Sequence, residues 1–163
     1  MTRTTMMRAA VVATVLASGG AAIAAGEHAG HAQRDEGWST GEPGDAKKPA
    51  RVVQVTMTEA NGKMLFAPAK VEVRKDEQIR FVLRNGGELE HEFVLGTTED
   101  NLRHAASMSK NPDMEHDDPN AVRLASKKTG DLVWKFSKAG EFEYACLIPG
   151  HREAGMVGNV VVK

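Results

Sequence analysis

Near its C-terminal end the chain runs Cys146-Leu-Ile-Pro-Gly-His151-Arg-Glu-Ala-Gly-Met156, three metal-binding side chains separated by four residues at each step. This run constrains the fold more than any other feature. A thiol, an imidazole and a thioether so spaced share one connecting loop, between a strand that ends at Cys146 and one that begins at Val157. Pro149 and Gly150 allow the sharp bend that returns His151 toward the sulfur. A further donor has to come from elsewhere, and His91 opens a strand directly after the turn residues Gly86 and Gly87.

Cys146 is the one cysteine of the 163 residues, so it forms no internal disulfide. Two imidazoles, one thiolate and a weak thioether together select copper. The trigonal His₂Cys arrangement with a long axial Met suits both Cu(I) and Cu(II) and supports electron transfer. Zinc also accepts His₂Cys, but structural zinc sites usually carry four strong ligands with close paired spacings. Taken singly, His91 reads as a surface or core histidine and Met156 as packing; it is their conjunction with Cys146 and His151 that makes a ligand set. A nucleophilic Cys146 with His151 as base lacks any sign of an oxyanion hole. No G-x-S-x-G, phosphate loop or H-E-x-x-H occurs. The expectation is therefore a chain that is not an enzyme, with no catalytic residues and metal ligands at His91, Cys146, His151 and Met156.

The first 25 residues read as a secretory signal peptide. Arg3 and Arg8 precede the nine-residue apolar run Ala9–Ala17, and small residues end at Ala24 and Ala25, either of which can precede the cut. A spanning helix needs about 20 apolar residues, so the run is too short for an anchor. Export to the periplasm is expected, with no membrane span in the mature form. An oxidising compartment makes a lone thiol a liability unless it is buried, paired between chains or metal-bound. Removing the leader takes away two of 21 basic residues and none of 22 acidic ones, leaving a net charge of −3 with neutral histidines. Nothing in that balance suggests a nucleic-acid partner. A monomer is expected.

Residues 26–50 shift to Gly, Ala, Pro and charge, and are read as a flexible tail that carries His28 and His31. The folded domain is expected over 51–163. Strands are expected at Arg51–Thr58, Lys70–Val73, Gln78–Asn85, His91–Leu95, Asp131–Ser137, Glu141–Cys146 and Val157–Val162, separated by Gly, Pro and Asn turns, an antiparallel sandwich. Thr97-Thr98-Glu99-Asp100 marks a helix start, giving a helix over Glu99–Ser109 and a polar loop over 111–120.

The segments HEFVLG, MEHDDPNAV and ACLIPGHREAGMVG resemble small periplasmic cupredoxins linked to copper tolerance. The Cys-x₄-His-x₄-Met run is similar to the copper loop of azurin, plastocyanin and rusticyanin. The resemblance covers about Arg51 to Lys163 and implies a Greek-key β-sandwich with one type 1 copper on His91, Cys146, His151 and Met156. In plastocyanin- and azurin-like members an Asn usually follows the first His ligand and ties the two ligand loops together. Here Glu92 stands in its place, so the reduction potential does not carry over.

Several histidines and methionines are left over. A mature chain starting Gly26-Glu27-His28 presents an amine, two amides and an imidazole, the square nitrogen set that Cu(II) prefers. His28 and His31 are thus either a secondary copper chelate or incidental residues of a tail. His104 and Met108 share a helix face, with Met114 and His116 beyond, and packing is the simpler role for Met108. Two functions follow: copper tolerance through a redox-active copper, or a soluble electron carrier between respiratory partners that exchanges electrons at the edge of His151.

Overall fold

In the computed structural model, residues 38–110 and 118–163 are described. The signal-peptide reading, His28, His31, Met114 and His116 lie outside them. The described residues form strands β1 (Glu42–Pro43), β2 (Arg51–Ala60), β3 (Lys63–Ala67), β4 (Lys70–Val73), β5 (Gln78–Asn85) and β6 (His91–Gly96). Helix α1 (Thr98–Lys110) follows, then β7 (Ala121–Leu124), β8 (Thr129–Lys135), β9 (Gly140–Ala145) and β10 (Val157–Val162). One sheet runs β1-β8-β5-β2-β3 and the other β4-β10-β9-β6-β7. This is the expected Greek-key β-sandwich with one inserted helix. The pairing is mixed rather than purely antiparallel: β2 lies parallel to β5, and β4 parallel to β10. The chain leaves the first sheet after β3, adds β4 to the second and returns as β5, so strands that meet after a crossover run the same way.

Alternation explains why the two sheets stack. Ile79, Phe81 and Leu83 of β5 and Leu132 and Trp134 of β8 face Phe93 and Leu95 of β6 and Phe142 and Tyr144 of β9 in one core. At its centre Phe93 stacks on Tyr144 with centroids 4.9 Å apart, and Phe66 meets Tyr144 edge-on at 5.2 Å. Such pairs each add about 0.5–1.5 kcal/mol beyond area burial. The Tyr144 hydroxyl donates to the Pro68 carbonyl at 2.6 Å.

Every residue of β6 is buried. Its odd positions join the core; Val94 on the other face belongs to a second cluster with Ala145 and Leu147, against which Ala105 of α1 packs. The helix therefore covers the outer face of β6 and β9. It begins as expected: the Asp100 amide donates to Thr97 Oγ1 at 3.1 Å, and that hydroxyl donates back to the Asp100 carboxylate. Met108 is buried and His104 half-buried, which suits packing for the methionine.

Three strands went unread in the sequence. The Asn61-Gly62 turn before β3, with φ of 52° and 73°, is a two-residue hairpin signal; Ala60 pairs with Lys63 across it. β7 pairs with β6, and β1 pairs with β8. The chain thus engages the sandwich before Arg51. Trp38 packs edge-on against Trp134 at 5.9 Å, Thr40 is buried, and the Gly44 amide donates to the Val133 carbonyl. Among the described residues no helix is long and apolar enough to cross a membrane.

Candidate metal centre

The core ends at one pole in three polar side chains. His91 begins β6 on its inward face, fully buried; Cys146 directly follows β9, also fully buried; His151 lies on the loop between β9 and β10, half-buried. One ligand atom from each lies within 4.8 Å of the others. His91 Nδ1 stands 3.2 Å from His151 Nδ1, and Cys146 Sγ is 3.3 Å from that same nitrogen. Nitrogen and thiolate bonds to a first-row metal ion run about 2.0–2.3 Å, so donors sharing one ion stand about 3–4 Å apart. The spacing and the soft–borderline donor set both fit copper.

The loop holds this geometry with its own backbone. The His151 amide donates to the Ile148 carbonyl, the Met156 amide to the His151 carbonyl, and the Cys146 amide to the Met156 carbonyl. Gly150 has φ of 88°, a conformation costly for any residue with a Cβ, and it makes the bend that turns His151 back. Met156 is fully buried in the core cluster that contains Cys146, so three of the four expected ligands meet through their donor atoms and the fourth is anchored beside them through its backbone.

Burial pushes the Cys146 thiol up to about 12, against the smaller pull of the Glu92 amide. A buried, protonated thiol resists oxidation, and a metal bound there must displace its proton. Burial, and then the neighbouring His91, hold His151 below the ordinary imidazole range, which favours the neutral ring that ligates.

Glu92 ties the strand of His91 to the residues around Cys146. Its amide donates to Cys146 Sγ at 3.4 Å, and its carboxylate accepts the Leu147 amide at 2.9 Å. The two ligand strands are thus joined at the sulfur itself and at the residue after it.

Sequence reasoning missed three supports. Glu59, near the end of β2, reaches His91 Nε2 at 2.6 Å through Oε1, and it accepts the Glu88 and Leu89 amides at 2.9 and 3.0 Å. Burial would raise its pKa, but those two amides and His91 outweigh this and lower it to about 2. Asn85, buried, shapes the turn that presents those amides: it donates to the Leu89 and Leu124 carbonyls and accepts the Gly87 amide. Glu143, buried on the outer face of β9, accepts from Arg152 at 2.8 Å and from Asn101 of α1 at 3.1 Å. Only the Asn85-Gly86-Gly87 turn had left a local trace; the other contacts span up to 42 residues.

Residues 53–163 match the model of the copper binding proteins of the plastocyanin/azurin family. The chain is 54% identical over 136 residues to the copper-resistant cuproprotein CopI of Rubrivivax gelatinosus, covering 83% of this chain and 81% of that one. It is 34% identical to the protein of the same name from Pseudomonas aeruginosa, over 78% of this chain and 84% of the relative. Among solved structures it is similar to auracyanin B, with a TM-score of 0.61 at 24% identity, covering 78% and 96% of the two chains. That likeness speaks for the fold.

Proposed function

This chain belongs to the plastocyanin/azurin family of copper-binding proteins, and from that premise we propose that it serves copper resistance as an exported type 1 copper protein. The observation that carries the reading is the meeting of His91 Nδ1, His151 Nδ1 and Cys146 Sγ at one pole of a rigid sandwich. His91 and His151 would supply imidazole nitrogen, Cys146 a thiolate, and Met156 a weak thioether. Copper bound there supplies reversible one-electron chemistry between Cu(I) and Cu(II). The chain's part is to keep the donors in place: His91 and Cys146 are buried at strand ends, and Glu92 holds the strands together. The role is binding and redox, with no catalytic residue. Resistance is favoured over respiratory electron delivery by the two relatives, both named for copper resistance. Export to the periplasm rests on the leader pattern of residues 1–25.

The test is spectroscopic and then physiological. Cu(II)-loaded protein shows a strong visible thiolate-to-copper band, and Cys146→Ser abolishes it. A variant that kept its colour would refute the site. A strain lacking the protein becomes sensitive to graded copper while its respiration stays normal; normal copper tolerance with impaired respiration would favour the electron carrier instead.

A further inference from the structure

Glu59 reaches a ring nitrogen of one of the metal centre's histidines, and its setting is built for that contact. The two histidines face each other through Nδ1, with His151 Nδ1 also beside Cys146 Sγ, which leaves His91 Nε2 to face Glu59 at 2.6 Å. The His91 side chain is fully buried and Glu59 is half-buried. The Glu88 and Leu89 amides hold the two carboxylate oxygens from the other side. Gly87 makes the room: a Cβ there would fall 2.1–2.5 Å from the Glu59 carboxyl atoms. A carboxylate that receives the second ring N–H of a metal-binding histidine fixes its tautomer and orientation and makes the ligating nitrogen a stronger donor.

We propose that Glu59 is a positioning residue for His91, one that presents Nδ1 to copper and biases the centre toward Cu(II), so lowering its reduction potential. The proposal rests on the copper reading above. The direction follows from charge. An anion one imidazole away from the metal stabilises the more positive oxidation state, and a neutral partner would not. Nor can an amide reproduce the contacts. Three N–H donors converge on the two Glu59 oxygens, so the NH₂ of a glutamine would face a donor whichever way it turned.

Such partners are typically worth 10- to 100-fold in metal affinity. If that loss falls on Cu(II) alone, the 59 mV per decade of a one-electron couple makes the potential of Glu59→Gln rise by about 60–120 mV. The measurement is the midpoint potential and Cu(II) affinity of the purified mature protein, with far-UV circular dichroism to verify the fold and the visible band to verify loading. Gly87→Ala provides a second route. It keeps the charge but forces the carboxylate away from His91, and its potential rises too. Wild-type potential and Cu(II) affinity in both folded, coloured variants would overturn the proposal. Absence of the visible band from the wild type itself would instead overturn the copper reading on which it depends.

Discussion

At the scale of single residues, the centre depends on side chains whose polar atoms are matched inside a dry core. Glu92 is the clearest case, because it is buried and its carboxylate accepts the amide next to the sulfur ligand. Glu92→Ala strips the buried Leu147 amide of that acceptor, which costs about 1–3 kcal/mol. Glu92→Gln retains an acceptor oxygen, so it restores most of the loss. Urea unfolding of the metal-free protein reads both; equal stability of Glu92→Ala and wild type would remove Glu92 from the tie. The sequence showed an acid directly after His91, but not where its carboxylate went. That depends on Leu147, 55 residues away.

At the scale of elements, the inserted helix and the ligand loop share an anchor. Glu143 projects from the outer face of β9 and accepts from Asn101 in the first turns of α1 and from Arg152, the residue after His151. Glu143→Ala leaves both donors without this acceptor. Arg152 is part-exposed and can turn to water, so the expected loss is about 1–3 kcal/mol rather than that of a fully buried pair. Amide hydrogen exchange should quicken at both ends of the anchor, in 98–102 and in 148–155. Quickening at the helix alone would show that the loop holds itself through its own backbone bonds. The helix was legible from its Thr and acid cap. Its docking was not, because an exposed amphipathic helix and one laid over a sheet share the same start signals.

At the scale of the whole molecule, the sandwich starts earlier than composition suggested. Residues 38–50 add β1 to the edge of β8, bring Trp38 against Trp134, and link Ser39 to Asp100 of α1. A mature chain begun at Arg51 should lose roughly 2 kcal/mol, the value of a partly buried Trp with its aromatic contact. It should keep its visible band, since no ligand lies in that segment. A chain begun at Trp38 keeps the whole of this segment and serves as the reference. Chemical denaturation of the two truncations makes the comparison, and equal midpoints would show that the strap adds nothing.

What the sequence determined by itself was periodic or local. The strands expected at Lys70–Val73, Gln78–Asn85 and Val157–Val162 are β4, β5 and β10 at their observed bounds, and the spacing of Cys146, His151 and Met156 marked the loop and its donors. These signals survive in one dimension because each depends on residues a few positions apart. Parallel pairing of β2 with β5, the attachment of residues 38–50 and the placement of Glu59 beneath His91 were decided only by the tertiary structure. Glu59 carries no mark in the sequence, being one acid among 22 acidic residues. It becomes a partner of the metal centre because the β2–β3 hairpin and the Asn85–Leu89 turn, stacked in three dimensions, leave a space without a Cβ at Gly87 and aim two amides into it.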